Sequence, residues 1–378
     1  MRAARGRTVS GLRVAMLGLR APWGTEGGVE QSVGELAPRL VARGIQVTVY
    51  CRARYNPHGP GFRQGVRLVD TGTVYSRSLE AILHTGMTAP RASMRADLVH
   101  LHACGPALFA GVPPLFGRAS VVTLHGKDWE REKWGAAARA VLRSGAEVAL
   151  RNASELIVVS RGLESWCRER SDARVTFIPN GVGEHHPVAW EPSVFPELRR
   201  GQYHLFLGRL VPEKELVTLL RAVERKPPRM PVVITGGGSY TPEYVERLHR
   251  EAPPGVVFTG PRFGMEKAML LTHARSFLFP SRVEGLPIAL LEALAAGLPT
   301  LASDIGPNLE VLGEIPGWRL PVGDVAAWCA AIHDVEDADP VTLAEMGRAG
   351  RRRVAEAFGW DAVVEATRQV YTRAAART

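Results

Sequence analysis

Short β-branched apolar runs recur along this chain, each followed by a turn-rich loop and a longer segment of helical periodicity. The first run, residues 13–17, ends in a loop rich in glycine and proline. Beyond it Val29, Val33, Leu36 and Leu40 fall on one helical face, and Gly44 stops that helix before a second strand at 47–50. Two strands joined through a helix make a βαβ unit, which builds a parallel sheet. Further strands are predicted at 98–101, 120–124, 156–159 and 175–178.

Pro179-Asn180-Gly181 breaks the rhythm, and the polar, proline-containing stretch from there to about 200 reads as an interdomain linker. The pattern then restarts, with strands predicted at 204–207, 232–235, 256–259, 277–279 and 300–302. At 378 residues the chain is long enough for each half to bury its own core. The expectation is an α/β protein of two doubly wound, Rossmann-like domains, 1–185 and 186–359. Ligands are expected at the C-terminal ends of the strands, with a cleft between the domains.

Composition narrows the class without changing that picture. No apolar run reaches the roughly 18 residues a membrane span needs. The basic opening Met1-Arg2-Ala3-Ala4-Arg5-Gly6-Arg7 is followed by no apolar signal segment; it reads as a disordered leader and argues against secretion. Cys51, Cys104, Cys167 and Cys329 are scattered, which suits structural thiols in a reducing cytoplasm and gives no metal-ligand spacing. Charge is unevenly placed: up to residue 185 there are 25 Lys and Arg against 15 Asp and Glu, and afterwards 22 against 23. That excess suits an N-terminal half facing anionic lipid or a phosphorylated acceptor, or a plainly basic surface. No helix-turn-helix, RNA-binding or zinc-finger signature is present, so nucleic acid is not an expected partner.

Candidate chemistry lies in the loops after strands. In Gly24-Thr25-Glu26-Gly27-Gly28-Val29-Glu30 the glycines let backbone approach a ligand at a helix N-terminus, although such a turn is also a common structural device. The spaced-glycine fingerprint of nicotinamide enzymes is broken here by Gly18-Leu19-Arg20-Ala21-Pro22. After the strand at 204–207, Gly208-Arg209 and Lys214 place two cations within reach of a diphosphate. Gly236-Gly237-Gly238 is a second close-approach turn. Pro287 and Gly297 bracket a predicted helix that is apolar except for Glu292, a costly position unless something satisfies it. Glu284 sits on the loop before it. Eight helical steps would separate the two carboxylates by about 12 Å. A retaining glycosidase pair needs about 5 Å, so two grips on one extended ligand fit better.

Four motifs in chain order carry a resemblance: Gly27-Gly28-Val29-Glu30, Ile178-Pro179-Asn180-Gly181-Val182, Gly208-Arg209-Leu210 with Glu213-Lys214, and Glu284 with Glu292. Together they resemble the GT-B retaining glycosyltransferases of family GT4 over residues 13–375 or so. The resemblance implies that Arg209 and Lys214 neutralise the donor diphosphate, Glu284 faces the donor sugar and Glu292 holds the ribose. It places Gly27, Gly28, Gly208, Gly236, Gly285 and Leu286 around the nucleotide sugar, and backbone near Arg262 and Phe263 against the base. It implies a metal-independent reaction with no cofactor beyond the nucleotide diphosphate sugar (UDP, GDP or dTDP). It also implies that a terminal helix, 360–378, packs back on the N-terminal domain.

Thr123-Leu124-His125-Gly126-Lys127-Asp128-Trp129, with Val49-Tyr50-Cys51-Arg52, is similar to a bacterial subgroup that includes rhamnosyltransferase-like enzymes of surface polysaccharide assembly. His125, at a strand end, is then a catalytic-site candidate, and Lys127, Asp128 and Trp129 are acceptor-site candidates. Trp129 and Trp134, beside Lys133, suit sugar stacking, a membrane face or plain packing. Glu215 stands where the family usually has glycine.

The expected activity is transfer of a hexosyl unit to an acceptor hydroxyl, on a glycan, a lipid-linked molecule or a small natural product. The expected location is the cytoplasm or the inner face of the membrane. A nucleotide-sugar epimerase of the same architecture and a silent sugar-nucleotide-binding scaffold are the alternatives.

Overall fold

The computed structural model describes residues 11–24, 27–76, 79–131, 134–238 and 242–377. The leader, Thr25, Glu26 and Lys133 lie outside the described residues. The chain forms two compact units, Met1–Gly181 with Trp360–Thr378, and Val182–Gly359.

In the first unit β1 (Arg13–Leu17), α1 (Gly28–Ala42) and β2 (Gln46–Arg52) form the leading βαβ motif. A short hairpin follows, β3 (Gly61–Arg63) antiparallel to β4 (Val66–Thr71), and then α2 (Glu80–Arg95). Next come β5 (Leu98–His102), α3 (Cys104–Ala107), α4 (Val112–Leu115), β6 (Ala119–Leu124) and α5 (Ala136–Asn152). β7 (Glu155–Val158), α6 (Arg161–Arg168) and β8 (Val175–Phe177) complete the run. The strand order is β3-β4-β2-β1-β5-β6-β7-β8.

Alternation along β1 explains why the sheet is covered on both faces. Val14 and Met16 enter one core with Leu36, Leu40 and Val49, whereas Ala15 and Leu17 enter another with Ala89, Ala92 and Ala146.

The second unit carries β9 (His204–Leu207), α7 (Leu216–Arg225), β10 (Val232–Thr235), α8 (Pro242–Arg250) and β11 (Val256–Gly260). It continues with α9 (Gly264–His273), β12 (Ser276–Phe279), α10 (Ile288–Ala296), β13 (Thr300–Ser303) and α11 (Gly306–Leu312). β14 (Trp318–Leu320), α12 (Val325–Asp337) and α13 (Pro340–Ala357) close it. Its strands run parallel in the order β11-β10-β9-β12-β13-β14. The last helix, α14 (Trp360–Ala375), belongs to the first unit, where Val370, Tyr371 and Ala374 share the core of Val14 and Met16.

Two differences from the sequence reading have physical causes. The stretch 182–200 is no linker: Phe195 and Leu198 are buried, and Trp190 packs against Phe195 and Tyr203. The boundary therefore falls after Gly181 rather than 185, where the Val182 N–H donates to the Phe358 carbonyl at 2.8 Å. β3, β4 and β14 were also absent from the expectation; β3 and β14 are three residues each, at sheet edges.

Both sheets reverse direction of growth once. In the first, β1 lies between β2 and β5; in the second, β9 lies between β10 and β12. Such switch points open a crevice outside the C-terminal strand ends, where ligands of doubly wound sheets bind.

Candidate active site

In the second unit the switch point lies between β9 and β12, and the loops after these two strands carry the charged residues. β9 runs directly into Gly208, and Gly236 follows β10. A Cβ on Gly236 would lie 1.8 Å from the Gly208 carbonyl oxygen, so only glycine allows the two turns to meet. Half-buried Arg209 sits in the first turn. Pro212–Lys214 forms one turn of 3-10 helix that brings Lys214 back under the loop after β12.

There the Lys214 Nζ meets Glu284 Oε1 at 2.5 Å, with both side chains mostly buried. Nζ also stands 4.5 Å from the centre of the Phe279 ring, the last residue of β12. The Arg282 N–H donates to the Glu213 carbonyl at 2.9 Å, which joins the two loops. Gly285 and Leu286 are buried behind Glu284. Glu215 occupies a left-handed conformation, φ 51, and turns its carboxylate to Arg282 at 3.1 Å. Its charge is therefore paired sideways.

Glu292 lies in α10, capped by Gly297 in the left-handed conformation. Its partner is Lys267 of α9, with Nζ to Oε1 at 2.7 Å. That cation is the donor the sequence demanded and did not identify. The 12 Å spacing is corrected too: α10 begins at Ile288, so only half of the eight steps from Glu284 to Glu292 are helical. Arg262 is engaged by its own neighbourhood, donating to the Thr259 carbonyl at 3.0 Å and lying 5.5 Å from the Phe195 ring. Phe263, at the start of α9, is exposed. Ser281, missed by sequence, buries a hydroxyl with no partner among the described residues beside this loop.

The first unit presents different chemistry at its own switch point. Gly27 caps α1 and Gly28 opens it. The Glu30 carboxylate folds over Gly27 and accepts from the Arg20 N–H at 3.2 Å, so the helix start already faces a carboxylate. His125 follows β6, and its Nε2 lies 3.2 Å from Nδ1 of His102, the last residue of β5. His100 and His102, two apart on one strand face, pack together with ring centres 4.0 Å apart and planes tilted by 36°. His100 is held at both nitrogens, by the Tyr371 hydroxyl and by Thr123 Oγ1, each at 2.7 Å.

Burial pushes His125 down to about 4, with Asp128 opposing and Arg131 assisting, and pushes His100 down to about 3. His102 is held well below the usual imidazole range by burial and then by its two histidine neighbours. All three rings are neutral at neutral pH.

The acceptor candidates are partly committed to the fold. Asp128 pairs with Arg131 at 3.1 Å and Lys127 with Glu130 at 3.5 Å. Trp129 is half-buried and packs on Trp166, ring centres 4.8 Å apart, against the core beneath α6.

Comparison with known proteins finds a match to each of the two units. Residues 26–185 match Glycosyltransferase Family 4, and residues 201–337 match Glycosyl transferases group 1. The chain is 27% identical over 397 residues to alpha-maltose-1-phosphate synthase of Mycobacterium tuberculosis, covering 97% of this chain and all of that one. Among solved structures, sucrose-phosphate synthase of Thermosynechococcus elongatus superposes with TM-score 0.84 at 21% identity, over 97% of this chain and all of that one. HepE of Anabaena, solved in complex with UDP-glucose, superposes with TM-score 0.77 at 18% identity, over 95% and 98% of the two chains. The fold is GT-B, and with one match to each α/β unit the chain is a glycosyltransferase belonging to family GT4.

Proposed function

We propose that this enzyme transfers a hexosyl unit from a nucleotide diphosphate sugar, with UDP the first candidate, to an acceptor hydroxyl with retention of configuration and without a divalent metal. The observation that carries the reading is the Lys214–Glu284 pair at the switch point of the second unit. A cation there neutralises charge developing on the leaving diphosphate, and Arg209 adds a forked donor. Glu284 accepts hydrogen bonds from sugar hydroxyls, and Glu292, steadied by Lys267, accepts from the ribose. In the proposed step the acceptor oxygen bonds to the anomeric carbon on the face the diphosphate leaves. The acceptor proton passes to the departing phosphate oxygen, giving glycosylated acceptor and nucleoside diphosphate. The UDP-glucose complex of HepE supports the choice of donor class. The acceptor, with His125 and Asp128 near it, belongs to the first unit, in surface glycan or natural-product glycosylation.

A thermal-shift panel of UDP, GDP, dTDP and ADP sugars tests the donor, because a ligand selective for the native state raises the melting temperature. A preferred donor that is consumed only when acceptor is present separates transfer from epimerisation. An anomeric NMR assignment of the product tests retention, and an unchanged rate in EDTA tests metal independence. Full donor turnover by Glu284→Ala would overturn the assignment.

One surface favours a peripheral place on an anionic membrane. Leu79, which caps α2, and Leu83, Met87 and Met94 within it are 52%, 38%, 50% and 60% exposed, and their spacing puts them on one stripe. Exposed Arg91 and Arg95 flank it. Among the described residues no helix is long and apolar enough to cross a membrane. The expected result is co-sedimentation with anionic vesicles that weakens with salt and with Met87→Glu. Equal retention on neutral vesicles would sink it.

A further inference from the structure

We propose that His102 is a positioning residue that fixes His125 as its Nδ1–H tautomer, so that His125 offers a ligand a hydrogen-bond donor rather than a base. The inference rests on the reading that His125 faces a ligand.

His102 Nδ1 and His125 Nε2 are 3.2 Å apart, and both rings are neutral, so one nitrogen of the pair carries the hydrogen and the other the lone pair. The remaining nitrogen of His102, Nε2, is buried with no hydrogen-bond partner among the described residues, in a residue only 2% exposed. Were His125 Nε2 the donor, His102 would have to carry its own hydrogen on that buried atom, leaving an orphaned N–H. Were His102 Nδ1 the donor, the buried atom would hold only a lone pair. Orphaned buried N–H groups are rarer and costlier than under-satisfied acceptors. The second arrangement therefore wins. His125 Nε2 accepts, and its hydrogen sits on Nδ1.

The ring that sets this arrangement is held firmly. His102 packs on His100, which is tied at both ends to Thr123 and to Tyr371 of the terminal helix α14. Directly after His102, Ala103 adopts φ 76 and ψ 164, a region that belongs almost entirely to glycine. Its N–H is nonetheless held on the Thr123 carbonyl at 2.9 Å. A strained turn and a doubly bonded neighbour keep the imidazole aimed along the strand end, toward His125.

The test reads tautomers directly, from two-bond ¹H–¹⁵N correlation spectra of the full chain without ligand, assigned with His100→Gln and His125→Gln. The expected wild-type pattern is His125 protonated at Nδ1. His102→Leu removes the donor and should move His125 toward the Nε2–H form, with activity falling roughly tenfold, the scale of one lost hydrogen bond. His102→Asn, whose amide nitrogen overlays Nδ1, should restore the Nδ1–H pattern and most of the rate. Wild-type His125 protonated at Nε2 would overturn the proposal, and needs no variant. An unmoved His125 pattern in His102→Leu would overturn it as well. The tautomer is read without substrate, so a correct pattern in a protein that transfers no sugar would sink the functional reading and leave this one standing.

Discussion

The two strand-end clusters are built in opposite ways. In the second unit the candidate residues are charged and paired, Lys214 with Glu284 in the loops after β9 and β12, and Lys267 of α9 with Glu292 of α10. In the first unit the corresponding residues are imidazoles driven neutral by burial. Net charge runs the other way. The first unit holds 28 Lys and Arg against 16 Asp and Glu, and the second 19 against 22. Overall charge therefore says where an anionic partner is steered, and not what the site does. An ion-paired site can exchange partners with a charged diphosphate at little cost, because its charges are already desolvated together. A neutral site offers hydrogen-bond geometry instead, which suits hydroxyls.

The comparison breaks most easily at Lys214. Lys214→Met keeps the shape of the chain and removes the charge, and kcat should fall by about 10²- to 10³-fold, the scale of one lost electrostatic stabiliser. His125→Gln should cost far less, roughly tenfold, if His125 gives only a neutral hydrogen bond. Single-turnover rates of both variants decide it. Equal losses would mean that the two sites do not divide the work as argued.

Acid should part the units next. His84, His100 and His125 fold with values pressed down to about 4, 3 and 4, and His102 lies low as well. Below pH 6.5 the unfolded chain takes up protons these rings refuse, so the first unit loses stability as pH falls from 6.5 to about 4. Half-buried His185 is shifted the same way in the second unit. There the larger shift is at Glu336: burial raises it, but hydrogen bonds from His204 and from the Met230 and Arg229 backbone hold it at about 2. Its contribution stays until pH passes below 4.5. Hydrogen exchange between pH 7 and 5 should show α14 and β5 loosening while β9 and α12 hold, with a melting shift on the order of 5 °C. Simultaneous loosening would contradict it.

A subtler effect tests whether Lys267 belongs to the donor site. Lys267→Ala leaves Glu292 without its 2.7 Å partner and should raise donor KM about tenfold while kcat changes little. Lys267→Arg should recover most of the affinity. A fall in kcat alone would place Lys267 elsewhere in the mechanism.

How much of this was legible in the sequence follows from the same contrast. Parallel strands buried on both faces read as continuous apolar runs, so β1, β2, β5, β6, β9, β10 and β12 declared themselves. Loop charges such as Arg209, Lys214 and Glu284 stand out because a loop after such a strand has no packing reason to hold them. The pairs across elements did not stand out. Lys267 meets Glu292 from 25 residues away, and His102 meets His125 from 23, through strand and helix neighbours that only topology supplies. The apparent linker misled because its polar, proline-containing sequence hid Phe195 and Leu198, whose burial depends on the rest of the second unit.

The smallest expected effect concerns Glu215, and it sharpens the account of the charged site. Its φ of 51 costs a residue with a Cβ on the order of 1 kcal/mol relative to glycine. In return the side chain reaches Arg282 at 3.1 Å and Thr218 at 3.3 Å. The arginine side chain is 39% exposed, so that pair is worth under about 1 kcal/mol. The two terms nearly cancel, and Glu215→Gly should change the free energy of denaturant unfolding by less than about 1 kcal/mol in either direction. Donor affinity is the better readout. Removing a carboxylate beside the turn proposed to face the diphosphate, and releasing Arg282 from it, should tighten nucleoside diphosphate binding by about two- to fivefold at low salt, less at high salt. If affinity instead fell, Glu215 would be shaping the Lys214 turn through its Arg282 contact, and the sideways pairing would be part of how this enzyme holds its cation in place.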